Sequence, residues 1–328
     1  MTFYVICVMF KTRKIKEIRH MPEIIEHTQT LTDEDYREKY GPTPKDKLDR
    51  YKRRRRIRIF FLVVMLLCIV GISVYLCIIK QHEKKIASVK PDDIEISESD
   101  FGKNLGYYLI DGVQVQKGLK DLYLQNSDVR GWIHIPDTKI DYPVLQSDPE
   151  NPEFYLYRDF DKSNYIGGSI FADAAADTVK PSENVILYGH HMSDDSGFKQ
   201  IKKYEKESFY ETHKTFWVKT LNGNCKYEVI AAYRTSTHDG DFRFWEYCDM
   251  DKTRFTEYVT TCKQKALYNT RAVVNYGDSL ITLCTCAYHT YGGKFIVVAK
   301  RVGIQEIDTT KPPIATITTN EDGTYTEE

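Results

Sequence analysis

One apolar run constrains this chain more than any other feature. From Ile59 to Ile79 it reads IFFLVVMLLCIVGISVYLCII, 21 residues with no charge and with Ser73 as the one frankly polar side chain. A helix rises 1.5 Å per residue, so about 20 such residues match the roughly 30 Å hydrocarbon core of a bilayer. A core helix of a soluble domain seldom stays apolar on every face for this length. The run therefore predicts one membrane crossing and divides the chain into two aqueous parts.

Charge orients the crossing. The net formal charge of −1 conceals an asymmetry: residues 1–58 hold 16 Lys/Arg and 9 Asp/Glu, and the remainder holds 30 and 38. Lys45, Lys47, Arg50, Lys52, Arg53, Arg54, Arg55, Arg56 and Arg58 precede the apolar run, whereas Lys80, Lys84, Lys85 and Lys90 follow it. Positive charge collects on the cytoplasmic side, so the N-terminus is expected inside and residues 80–328 outside. The run is long, lies far from the N-terminus and lacks an obvious small-x-small cleavage site, which favours an uncleaved signal anchor over a removable leader. Beside a span, the basic cluster suits anionic membrane lipid better than nucleic acid.

These features suggest a division into a basic cytoplasmic tail (1–58), an anchor (59–79), an extracellular stalk (80–114), a folded domain (115–303) and a tail (304–328). Within the first, Met1–Phe10 is apolar but too short to span, and polar residues 22–50 are expected to be mobile. The last segment shows no periodicity and holds two prolines, so it is expected to be disordered.

The folded part reads as mostly β. Trp132–Ile135, Tyr142–Leu145, Ser169–Ala172, Val185–Tyr188, Phe216–Leu221, Tyr227–Tyr233, Ser279–Cys286 and Phe295–Val302 are short, β-branched or aromatic, and bounded by Gly, Pro, Asn or Asp. Eight such runs suggest a closed, mostly antiparallel barrel or a sandwich. Two segments have helical spacing instead: Gly118–Gln125 through Leu119, Leu122 and Leu124, and Asp251–Leu267 through Phe255, Tyr258, Val259 and Cys262.

Beyond the span lie five cysteines, Cys225, Cys248, Cys262, Cys284 and Cys286. An odd number in an exported domain leaves a thiol unpaired. Cys284 and Cys286 are two apart on one strand, so they share a face with Cα atoms about 6.5–7 Å apart, at the limit for a disulfide. Cys286 ends its strand and opens into AYHTYGG, where a scaffold can expose a reactive group, whereas Cys284 suits a packed small side chain. A second feature is NVILYGHHM at 184–192, in which a β run ends at Tyr188, Gly189 permits a turn, and His190 and His191 follow. A histidine at a strand end can serve a nucleophile on a neighbouring strand, although a surface His pair has the same pattern. A zinc site from these histidines with Cys284 and Cys286 lacks the usual spacers, so no metal is expected.

Taken together, these segments resemble the sortases, and class B in particular. Thr-Leu-Cys-Thr-Cys at 282–286 matches the Thr-Leu-x-Thr-Cys pattern whose last Cys is the nucleophile, and LYGHHM at 187–192 matches the class B histidine segment. NSDVRGWIHIPDTKIDYPVLQ (126–146), GGSIFAD (167–173) and KFIVVAKRV (294–302) fall in the family's order. The resemblance covers roughly 115–303. It implies an eight-stranded sortase β-barrel with an N-terminal helix and a helix between the sixth and seventh strands, preceded here by one transmembrane helix. It also implies cysteine transpeptidation outside a Gram-positive-type membrane, without a cofactor. An NPQTN- or LPXTG-like sorting signal of an exported protein would be cut and joined to the amine of a cell-wall precursor or a pilin. The family match gives Cys286 as nucleophile, His190 rather than His191 as acid and base, and Tyr188 and Leu156 near groove positions; Thr285, beside the nucleophile, is a further candidate for substrate contact. Where the family carries a catalytic Arg this chain has Lys294, which offers charge without the two-pronged guanidinium. Three readings of that departure stand: Lys294 substitutes for the arginine, another Arg such as Arg301 or Arg271 reaches in, or activity is low. It also motivates a non-catalytic binding protein on a sortase barrel as an alternative function, beside a cysteine peptidase that only hydrolyses.

Overall fold

The computed structural model describes residues 32–328, apart from 93, 96, 180–181, 239, 288–289 and 321. The apolar patch expected at Met1–Phe10 lies outside the described residues. The chain divides into two units, one reaching to Gln81 and the other running from His82 to Glu328.

From Asp33 onward the described part of the first unit is helical where the composition predicted a mobile tail, whose residues 22–31 lie outside the described residues. Helix α1 (Asp33–Tyr40) starts at Thr32 and α2 (Pro44–Ser88) at Thr43. Both starts carry Thr-x-x-Asp. Thr32 Oγ1 accepts from Asp35 N while the Asp35 carboxylate accepts from Thr32 N, and Thr43 and Asp46 repeat the exchange at 3.1 Å each way. This reciprocal capping satisfies amides that otherwise lack partners, and composition alone does not reveal it. Arg37 then grips Asp46 with two hydrogen bonds of 2.8 and 2.7 Å. Helix α2 contains the apolar run, is long and apolar enough to cross a membrane, and leaves that stretch uncovered by protein.

In the second unit eight strands close a barrel. They are β3 (Val129–His134), β4 (Asp141–Leu145), β5 (Ile170–Ala172), β6 (Asn184–Tyr188), β7 (Thr215–Thr220), β8 (Gly223–Ser236), β9 (Leu280–Cys286) and β10 (Gly293–Glu306). The order around the barrel is β10-β8-β7-β3-β4-β5-β6-β9. All eight expected runs fall on these strands. Most neighbours are antiparallel, but β4 and β5 pair in parallel, as do β6 and β9. A parallel pair needs a crossover, and the β6–β9 crossover contains the short helix α4 (Glu207–Thr212) and helix α5 (Lys252–Lys265), the latter within the segment read as helical.

Alternation along the strands builds two layers. Inward residues such as Ile133, Leu187, Val218, Ile281, Leu283, Phe295 and Val297 fill the barrel. Outward residues Ile186, Tyr233, Cys284 and Ile296 pack beneath Phe255, Tyr258 and Cys262 of α5. Tyr258 and Asn184 share the buried Thr282 hydroxyl at 2.5 and 2.8 Å, fixing α5 to β6 and β9.

Neither flanking segment is a loose extension. The expected stalk begins inside the last turns of α2, where His82 stacks on Tyr165 at 4.0 Å and Lys85 pairs with Asp159 at 2.9 Å. Ile86 and Ile94 are buried. Strands β1 (Tyr107–Ile110) and β2 (Val113–Gln116) form a hairpin, and helix α3 (Lys120–Gln125) follows. The expected disordered tail instead supplies β11 (Thr316–Thr319), parallel to β1, and β12 (Tyr325–Glu327) beyond it. Ile317 is fully buried there, and the Asp111 carboxylate accepts from the Thr319 amide and hydroxyl. A four-residue strand that buries one side chain carries too little periodicity to read in sequence.

Candidate active site

The site follows from where β9 leaves the cover of α5. Cys284 sits beneath that helix, and burial pushes its thiol up to about 12, so it stays protonated. Cys286, one pleat repeat further, is the last residue of the strand and only half-buried. Lys294 is its register partner on β10. Directly opposed residues on antiparallel strands project to the same face, and Lys294 Nζ lies 3.4 Å from Cys286 Sγ. The seven cysteines among the described residues are all unbridged.

Strand β6 lies parallel to β9, with Tyr188 opposite Cys284, so the histidine segment emerges at the same barrel end. Two bonds tie the ends together: the Gly189 amide donates to the Cys284 carbonyl at 3.1 Å, and Thr285 Oγ1 donates to the Gly189 carbonyl at 2.9 Å. The histidines then diverge. His191 Nδ1 lies 2.8 Å from the Cys286 carbonyl, and a carbonyl only accepts, so Nδ1 carries a proton. Burial lowers the pKa of His191, which favours the neutral ring. His190 Nε2 donates to the Leu156 carbonyl at 2.7 Å, and its ring tilts against Tyr157 at 5.5 Å.

Two glycines make this packing possible. Gly189 has no positive φ; its need is space, since a Cβ there would meet Ile170 at 2.5 Å and Phe198 at 2.7 Å. The turn read from sequence is thus a close approach. Gly197 combines φ +63 with a would-be Cβ 2.6 Å from the His190 carbonyl oxygen, which accepts from Phe198 N at 2.9 Å.

Cys286, Lys294, His190, Tyr188, Leu156 and Thr285, the six residues singled out from sequence, border one groove of about 380 Å³. Their contributions differ from the simplest expectation. The Thr285 hydroxyl is committed to Gly189, and Leu156 presents its carbonyl to His190. The Tyr188 hydroxyl donates to Asp173 at 2.7 Å. Burial and the adjacent carboxylate hold that phenol in its protonated form. Asp173 and Glu153 also border the groove. Sequence reasoning passed over both, although Asp173 ends the quoted segment GGSIFAD. A half-exposed sulfur beside an ammonium, with an imidazole on the same groove, has the parts for covalent acyl chemistry on an extended peptide.

Comparison with known proteins agrees with this geometry. The family model for the sortase domain matches residues 133–302. Sortase B of Listeria monocytogenes is 36% identical over 173 residues, 53% of this chain and 68% of that protein. Sortase B of Staphylococcus aureus is 34% identical over 181 residues, 55% of this chain and 72% of that protein. Among solved structures, a Bacillus anthracis protein described as similar to sortase B superposes with TM-score 0.56 at 31% identity, covering 68% of this chain and 97% of that one. A Staphylococcus aureus sortase B–substrate complex gives 0.53 at 32% identity, covering 58% and 86%. Fold, groove and relatives converge: this chain belongs to the sortase family of cysteine transpeptidases, in class B.

Proposed function

We propose that the chain is a membrane-anchored class B sortase that cuts an NPQTN- or LPXTG-like signal in exported proteins and transfers the acyl product to an amine. The observation that carries this reading is the 3.4 Å approach of Lys294 Nζ to Cys286 Sγ on a groove that His190 also borders. Cys286 attacks the carbonyl at the scissile bond, and the Lys294 cation stabilises negative charge first on sulfur and then on the tetrahedral oxygen. Leu156 fixes one nitrogen of His190, so Nδ1 handles the proton, giving it to the leaving amine and taking one from the incoming amine. His191 holds the Cys286 carbonyl and thereby the strand end that bears the nucleophile.

Two related structures support peptide and amine ligands, one a sortase B–substrate complex and the other a sortase B complexed with triglycine. The Asp173 and Glu153 carboxylates on the groove suit a cationic amine acceptor, whether from a wall precursor or a pilin. Helix α2 supplies the single-pass anchor. The basic residues before its apolar run favour a cytoplasmic N-terminus and an extracellular catalytic domain.

Intact mass spectrometry after incubation with an NPQTN peptide tests the reading. A thioester adduct that maps to Cys286, is absent from C286A and converts to a ligated product with added triglycine is the expected result. Full cleavage by C286A eliminates the assignment. Release of only the hydrolysed acid when amine is present makes the enzyme a peptidase.

A further inference from the structure

Lysine at 294 introduces a chemical possibility that arginine lacks. A guanidinium stays protonated in proteins, whereas the unprotonated form of a lysine side chain is a primary amine, and primary amines are what a thioester acylates. Lys294 and Cys286 are directly opposed on β10 and β9, and Nζ stands 3.4 Å from Sγ. Once the sulfur is acylated, the carbonyl carbon is one bond from it, so rotation about the flexible lysine stem is enough to bring Nζ to the roughly 3–3.5 Å separation of a near-attack geometry.

We infer that Lys294 is a self-acylation site: in the absence of an external amine, the acyl group on Cys286 passes to Lys294 Nζ. The Lys294 ammonium first gives one proton to solvent; the neutral amine then attacks the thioester carbonyl, the C–S bond breaks, a C–N amide bond forms, and a second amine proton moves to the departing thiolate. The products are an acylated lysine and a free Cys286 thiol, with no oxidant or co-reactant involved. An amide is far more resistant to nucleophiles than a thioester, so the transfer ends the turnover of that molecule. It also removes the cation beside the sulfur. The enzyme is therefore self-limiting when acceptor is scarce, and an external amine competes with its own side chain.

This inference rests on Cys286 being the acylated residue, and the test separates the two. The full-length protein in detergent is treated with an acetyl aryl thioester, which acylates a reactive thiol without needing a recognised signal, and is then split between buffer and hydroxylamine. Hydroxylamine removes thioesters and leaves amides. The expected result is an acetyl adduct on wild type that survives hydroxylamine and maps to Lys294. C286A should lack it. K294R should form the labile adduct on Cys286 but not the resistant one, and added triglycine should suppress the resistant adduct in wild type. A labile adduct on Cys286 with no resistant adduct at Lys294 overturns the inference and leaves the proposed function standing. Acetyl-Lys294 that persists in C286A shows direct modification and also overturns the inference. No acylation of Cys286 at all defeats both.

Discussion

The charge at residue 294 can be removed without touching the nucleophile, which makes Lys294→Ala a sharp test of the site's electrostatics. At the observed 3.4 Å, a unit charge pair interacts by about 5 kcal/mol at an effective dielectric near 20 and by about 1.2 kcal/mol in bulk water. Lys294 is half-buried, so the true loss falls between these limits. A barrier increase of at least about 1.4 kcal/mol, a tenfold drop in kcat/KM, is the expected effect of Lys294→Ala. Lys294→Arg restores both charge and reach, and its activity should equal or exceed wild type. Two assays read the prediction independently. Cleavage of a quenched NPQTN peptide gives kcat/KM, and the rate of iodoacetamide alkylation at a fixed pH gives the reactivity of Cys286 without substrate. Loss in both assays places the cation's effect at the sulfur, and loss in cleavage alone places it at the oxyanion. A kinetically silent Lys294→Ala would refute the reasoning, because a cation at this distance cannot be irrelevant to charge forming on its neighbour.

Other expectations follow from the groove's supports. Gly197→Ala should lower stability by about 1–2 kcal/mol, seen as a lower melting temperature, because a Cβ enters the left-handed region and meets the His190 carbonyl oxygen. Activity should fall further than stability, since the same carbonyl anchors the histidine segment. Cys284→Ser should destabilise by about 1–3 kcal/mol by burying a hydroxyl beneath α5, whereas Cys284→Ala should keep cleavage activity; loss of activity in stable Cys284→Ala would point to a chemical role. Burial depresses the pKa of His191, so folding disfavours its protonation. The stability gained from its neutral form is intact above the unfolded value of about 6.5. It is lost as pH falls from there through the folded value. His191→Gln should flatten that part of the melting-temperature profile, and an unchanged acid slope would contradict the reading. A fragment beginning at residue 90 should melt below one beginning at His82, because it lacks the Tyr165 stack, the Lys85–Asp159 pair and buried Ile86.

Much of this protein is legible along the chain. Twenty-one uncharged residues mark out a helix long and apolar enough to cross a membrane, because hydropathy is additive and needs no partner. The barrel strands show themselves through alternation, since each strand must offer one face to the interior whatever its neighbours are. Cys286 and His190 stand out through short motifs at strand ends. Tertiary structure alone decided the rest. The parallel pairing of β6 with β9 brings the histidine and cysteine ends to one barrel mouth, and the antiparallel register of β9 with β10 sets an ammonium 3.4 Å from the sulfur. The Leu156 carbonyl that orients His190 and the Asp173 that receives Tyr188 belong to segments remote in sequence, and such contacts leave no local periodicity. The terminal strand β11 hides for the same reason: it is stabilised by β1, some 200 residues away, and by one buried isoleucine. Local pattern fixes what a segment can become, whereas register and chain crossing fix what it meets, and reactivity at this groove depends on the meeting.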